Sequence, residues 1–375
     1  MTLEQKISLA KKIRNQLNIS GIWPNFNPVP FILYDNESQV AVGDTWPRHF
    51  SQEEEGIWAA EGLDPMLMGN TSMNYHGATV AIWDTRTWTS NPHISVVTSG
   101  VAHEMFHAHQ QLHMSLPWAN ELVFPQYPHS PYSIALVLEE NKWFEEILKK
   151  PSHENIHRCL AKIADLRNLR KAEIGEMFIE YDKCIESVEG TAAYVEIHTK
   201  SRIEGTTTFS AASPYLSTLS SNKLLNNYRQ RCYASGLIFC LAADILWPCW
   251  LREWVHTNTS IFDWVAGKLP RTIPFITTDQ LNLQASSKLL DIYHKEKEQK
   301  INEFMNQSLT TYSGEIELIG FDPMNLICVG NHCLHKHGKL RFGEKEHIIE
   351  SPFLEEFGDT IMDVKGILLP SNQEI

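Results

Sequence analysis

The run His103-Glu104-Met105-Phe106-His107 constrains this chain more than any other segment of its 375 residues. Two imidazoles four positions apart can reach one point in space when the backbone between them is helical, because i and i+4 lie on one face, a turn apart. Met105 and Phe106, both apolar, suit a helix packed into a core. On that helix both imidazoles can hold a single Zn²⁺, with Glu104 beside the water such an ion binds. The ion lowers the pKa of that water toward about 7 and polarises a carbonyl, while the carboxylate takes the proton and passes it to the leaving group.

A hydrolytic zinc site needs a third protein ligand and an open position. Two candidates stand in the sequence. The first is a carboxylate of the helix-like run Glu186 to Glu196, where Glu186, Glu189 and Glu196 share one face and Gly190, Ala192 and Ala193 let a second helix come close. The second is His113, which extends the motif to His103-Glu104-x-x-His107-x-x-Gln110-x-x-His113. That spacing matches the metzincin pattern except at Gln110, where the pattern has the glycine that turns the chain. If the helix continues, His113 lies roughly 120° around the axis from His107 and points away. Glu189 is therefore placed ahead of His113. Met324 is the only downstream candidate for a Met-turn.

His103-Glu104-x-x-His107 taken together with Val188-Glu189-Gly190-Thr191-Ala192 resembles the gluzincin metallopeptidases, whose aminopeptidase branch carries a similar Asn-Glu-Gly-Phe-Ala segment. The resemblance implies a zincin fold, Glu189 as third zinc ligand and Glu104 as general base. Tyr233-Ala234-Ser235-Gly236 resembles the same branch's Tyr-x-x-Gly helix start, which implies that the Tyr233 hydroxyl stabilises the oxyanion. The resemblance spans roughly residues 97–251 and departs from the branch in three ways. The interval from His107 to Glu189 is far longer, the strand that anchors a substrate's free amine is missing, and so is the large N-terminal β domain. The zinc site carries over better than aminopeptidase specificity. The zincin architecture also implies an upstream edge strand that pairs with substrate backbone. Residues 79–83 or 93–97 can serve, and either reads equally well as an interior strand. Glu186 is read as orienting a ligand histidine or as a solvated carboxylate, and His109 and Gln110 as surface or packing residues, with lining of the cleft as the alternative.

Around this motif the chain reads as α+β and zincin-like. Short β-branched and aromatic runs at residues 29–34 and 79–83 predict a small sheet within about 25–98. Helical spacing predicts a body over about 99–265, with helices at 134–148, 156–180, 184–199 and 224–247. Residues 1–265 form the expected catalytic domain. After a Pro-containing linker at 268–274, a charged helix at 285–307 and strand-like runs at 315–320, 340–342 and 361–369 predict a helix and β-rich region over 266–375.

Composition narrows the function classes. Asp and Glu number 45 against 32 Lys and Arg, a net charge of −13 with no long basic run, which argues against nucleic acid. Residues 1–20 read as an amphipathic helix bearing Lys6, Lys11, Lys12 and Arg14, without a signal peptide's apolar core. The apolar run 236–251 is too short for a bilayer and contains Asp244 and Pro248, so it reads as a core helix. Seven scattered cysteines make no disulfide framework, and a cytoplasmic location is expected. The cluster Cys328 to His337 fits no standard metal finger and reads as a turn between strands. Trp247, Trp250 and Trp254 read as a cap on the core. Phosphate-binding loops and a serine nucleophile elbow are absent. The expectation is a zinc-dependent hydrolase acting on a peptide or protein, with His103, His107 and Glu189 on the metal and Glu104 and Tyr233 in catalysis. The alternative is a catalytically inactive zincin-fold binding protein, against which the intact Glu104 argues.

Overall fold

The computed structural model describes residues 1–88, 92–220, 224–270 and 281–373. Helix α1 (Leu3–Gln16) opens on a capping box in which Thr2 and Gln5 satisfy each other's backbone N–H groups. A six-stranded sheet follows, built from β1 (Phe31–Tyr34), β2 (Ser38–Val42), β3 (Ser51–Glu54), β4 (Ile57–Glu61), β5 (Thr71–Tyr75) and β6 (Ala78–Asp84). Its order is β3-β4-β2-β1-β6-β5, and only β1 and β6 run parallel. Alternate residues of the central strands point to two cores: Phe31, Leu33 and Ala81 face the helical body, while Ile32, Tyr34 and Ile82 join the loops on the other side.

The body comprises α2 (Ile94–His113), α3 (Pro131–Lys149), α4 (His153–Ile174), α5 (Glu176–Glu204), α6 (Thr208–Ala211), α7 (Ser213–Leu219), α8 (Tyr228–Leu246), α9 (Trp250–Trp254) and α10 (Ile261–Lys268). Trp250 and Trp254 are buried against Trp23 and close one end of the core. The expected domain boundary falls inside α10, which packs against α5 and α8. Helix α11 (Leu283–Met305) lies on α3 and leads into β7 (Leu309–Tyr312), β8 (Ile316–Phe321), β9 (Ile327–Val329), β10 (His332–His335), β11 (Gly338–Phe342), β12 (Lys345–Ile349), β13 (Phe353–Phe357) and β14 (Val364–Pro370). These strands form two antiparallel sheets, β7-β14-β13-β10-β9 and β12-β11-β8. The architecture is α+β. No helix among the described residues is long and apolar enough to cross a membrane.

Several expectations are corrected. Residues 93–97 are no strand: His93 caps α2 by accepting the Ser95 N–H, and the chain turns helical at Ile94. Residues 79–83 lie in β6, which is interior, and the edge strand is its neighbour β5. The helix expected over 156–180 breaks at Gly175, whose φ of +95 lies in a region that glycine adopts freely. Cys328 and Cys333 face each other across β9 and β10 and form a disulfide, so one bridge exists where none was expected. The same bridge removes both thiolates from any metal reading of that cluster. His335 is buried there against Glu355 at 2.6 Å. Part of the linker, residues 271–274, and the side chain of Met324 lie outside the described residues.

Two contacts hold the elements that carry the site. Lys6, read from sequence as part of a charged helix face, is buried; its ammonium contacts Asp35 at 2.5 Å and donates to the Ser38 hydroxyl at 2.6 Å, fastening α1 to the sheet. Helices α5 and α8 cross at two glycines. A Cβ on Gly190 would lie 2.5 Å from Gly236 Cα, and one on Gly236 would lie 2.3 Å from the Glu186 carbonyl oxygen.

Gly236→Ala must push α8 away from α5 and is expected to cost at least roughly 1–3 kcal/mol of stability, the range for overpacking, read from the urea midpoint. Lys6→Met leaves Asp35 without its buried partner and should cost about 3 kcal/mol at neutral pH. Asp35 is held at about 2, below its ordinary value of 3.8, because donors from Lys6, Glu37 and Ser38 outweigh the opposing effect of burial. The pair's contribution is therefore whole above about pH 4 and is lost as the pH falls through 2, so unfolding curves of wild type and variant should converge across that window.

Candidate metal centre

The placement of α2 begins at Gly100. A Cβ there would lie 2.5 Å from the Trp83 ring, so this turn of the helix rests directly on β6, and the next turn carries His103, Glu104 and His107 into a cleft beside the sheet. Opposite, α5 presents Glu189 and α8 presents Arg229 and Tyr233.

His103 Nε2 lies 3.4 Å and His107 Nε2 3.2 Å from the same Glu189 oxygen, Oε2. One nitrogen from each imidazole and one carboxylate oxygen all fall within 4.8 Å of one another, and among the described residues this is the one such grouping of His, Cys, Asp and Glu. The far sides of both rings are engaged. His103 Nδ1 meets Glu196 Oε2 at 3.1 Å, and His107 Nδ1 meets Gln110 Oε1 at 2.7 Å. The Gln110 amide is oriented by its own donations, to Val188 O and Thr191 Oγ1, each at 2.8 Å, which leaves only its oxygen for His107. An acceptor at Nδ1 makes that nitrogen the N–H and leaves each Nε2, facing Glu189, as the nitrogen that a proton or a metal ion can occupy. Two such nitrogens and one carboxylate oxygen suit Zn²⁺, and the cleft leaves room for a further ligand.

The electrostatics favour a cation at this point. Burial works against a charged His103, yet the hydrogen bonds it donates to Glu189 and Glu196 outweigh it and hold its pKa well above 6.5. Burial likewise opposes ionised Glu189, but His107, His103 and Arg229 hold it well below the usual carboxylate range. Glu104 differs: burial pushes its carboxyl up, and no donor among the described residues reaches it. It faces the cleft with its acceptors available for water. The Tyr233 ring lies nearly parallel to His103, at 20° and 6.4 Å, and burial followed by the Glu189 charge raises its hydroxyl pKa, keeping it a donor.

The structure brings His103, His107, Glu189, Glu104 and Tyr233 around one cleft, and leaves other candidates outside it. α2 remains helical through His113, which is exposed at its end beside His109. Glu186 touches neither histidine; it is wholly buried on Arg167 and Ser235. His109 packs on Phe26 and Phe106. Gln110, read as surface or packing, instead holds the His107 ring. Glu196 shares a helical face with Glu189 in the sequence, but its contact with His103 and the Tyr215 hydroxyl could not be read there. Arg229 had a faint signal, one turn before Tyr233.

The cleft holds about 1080 Å³. One wall runs from Leu67 to Ser72 at the start of edge strand β5. Trp118, whose ring lies 6.2 Å from that of His107, stands near the two histidines and Glu189. The facing wall comes from the C-terminal region, where Phe321, Gly338 and Ile349, aligned neighbours at one end of β8, β11 and β12, border the cleft. Arg86 and Glu350 approach to 3.9 Å across the rim.

Removing the acceptor behind a ligand histidine loosens its ring. With zinc held by His103, His107 and Glu189, Gln110→Ala would weaken its binding by roughly 10- to 100-fold, whereas His113→Ala would leave it unchanged, both read by competition with a chromogenic chelator. The reverse order would move the site to the metzincin-like set. No family model, no curated protein and no solved structure matches this chain.

Proposed function

We propose that the chain is a zinc-dependent hydrolase, a metallopeptidase in which His103, His107 and Glu189 hold the metal. The observation that carries this reading is the combination of two imidazoles turned by Nδ1 acceptors toward one carboxylate oxygen with an unengaged carboxylate, Glu104, on the same helix turn. A closed structural site has no use for that second carboxylate. Zinc, when bound, supplies a Lewis acid and a water that ionises near neutral pH. Glu104 accepts the proton of the attacking water at its carboxylate and returns it to the leaving nitrogen. Tyr233 donates its hydroxyl to the carbonyl oxygen as negative charge builds there.

A peptide is the substrate class that the cleft favours. Its volume accommodates several residues, and edge strand β5 borders it with backbone groups available to pair with an extended chain. Met68, Trp118 and Ile348, apolar and exposed, stand around its walls and offer contacts for side chains. The wall from the C-terminal region narrows access, which favours flexible segments over folded domains.

Glu104→Gln keeps the shape and removes the base. Turnover of a peptide library should fall by roughly 10²- to 10⁴-fold while metal analysis still finds one zinc per chain. Full activity in that variant would sink the mechanism. Zinc bound by the wild type without cleavage of any peptide would favour a non-catalytic binding protein.

A further inference from the structure

Resting on the zinc reading above, we infer that Arg229 is a positioning residue that sets how Glu189 meets the metal and where the Tyr233 hydroxyl stands. Its guanidinium Nη2 lies 3.1 Å from Glu189 Oε1 and 2.9 Å from Glu121 Oε1, and Nη1 donates to the Tyr233 hydroxyl. Glu189 is thereby divided between two tasks. Oε1 is held by Arg229, while Oε2 alone faces both histidine nitrogens, at 3.4 and 3.2 Å. A carboxylate free to rotate would present either oxygen or both; this one presents only Oε2 to the two histidines.

The same cation links elements that sequence leaves far apart. Arg229 and Tyr233 sit one turn apart on α8, Glu189 is on α5, and Glu121 begins the short 3₁₀ segment Glu121–Gln126 after α2. Glu121 also accepts from Tyr181 at 2.9 Å, so the far anchor of the guanidinium is itself fixed. The guanidinium further lies over the Tyr233 ring, 5.3 Å from its centroid, which limits the ring's swing. Only a planar fork with several donors serves three acceptors at once; an ammonium is a point charge on a flexible stem and can satisfy them only in turn.

The test uses the full-length chain as wild type, Arg229→Ala, Arg229→Lys and Glu121→Gln, with zinc affinity measured by chelator competition and kcat and KM measured on a peptide substrate. Arg229→Ala should weaken zinc by roughly 10- to 100-fold, the range for losing a group that orients a ligand. With zinc saturating, kcat should fall by about tenfold or more, the cost of a misplaced hydroxyl donor, and KM should change little. Arg229→Lys should be intermediate and Glu121→Gln milder still. If Arg229→Ala does not fold, the Lys and Gln variants carry the test. Wild-type zinc affinity in every folded variant would overturn the inference while leaving the zinc reading intact. So would a rise in KM confined to peptides with a free C-terminal carboxylate, because Arg229 would then be a substrate contact. A wild-type chain that takes up no zinc would remove both.

Discussion

The crossing of α5 and α8 is the contact on which the rest of the molecule depends. At Gly190 and Gly236 the two backbones touch with no room for a methyl group between them. That approach places Glu189, one residue before the first glycine, next to Tyr233, three residues before the second. It also brings Ser235 onto Glu186, so the carboxylate one turn from Glu189 is committed to the interior. Close packing of this kind has few alternative arrangements, because a small shift at the glycines moves both functional side chains together.

Around the crossing lies a buried ionic network that the charge total of −13 conceals. Arg167, Arg170 and Arg231 are all buried and converge on Glu140, with Arg167 at 2.6 Å and Arg170 at 2.8 Å. Burial alone would raise the Glu140 pKa; the three guanidinium groups lower it to about 2. Arg167 continues to Glu186 and Arg170 to Asp182, joining α3, α4, α5 and α8. Such a network costs desolvation and adds little net stability, but removing one member strands another charge in the interior. Its effect is to fix the rotation of α5, and with it which carboxylates face α2.

The C-terminal region takes on a role through position. It has its own apolar cores, one between the two sheets around Leu340 and Phe353 and one between the larger sheet and α11 around Leu354, yet one end of the smaller sheet borders the cleft that contains His103, His107 and Glu189. Helix α11 ties this region back to α3. The cleft is thus shared between an N-terminal sheet, a helical body and a C-terminal wall, the first and last of which lie more than two hundred residues apart in the chain.

What the sequence determined by itself was local and periodic. Helical spacing puts His103 and His107 on one face with Glu104 beside them, and puts Glu189 and Glu196 on one face of another helix, whatever the remainder of the chain does. The α+β class was legible for the same reason, since β-branched runs and helical periods are read over a few residues. Only the tertiary structure decided that Glu189 faces both Nε2 nitrogens while Glu186 turns away, that Gln110 and Glu196 hold the far sides of the rings, that Arg229 holds Glu189, and that β5, a half-polar strand, is the edge beside the cleft. Those assignments follow from the rotation of α5 against α2 and α8 and from contacts such as Gln110 to Thr191 and Arg229 to Glu121, which join residues separated by 81 and 108 positions. No period in a sequence encodes a contact of that range.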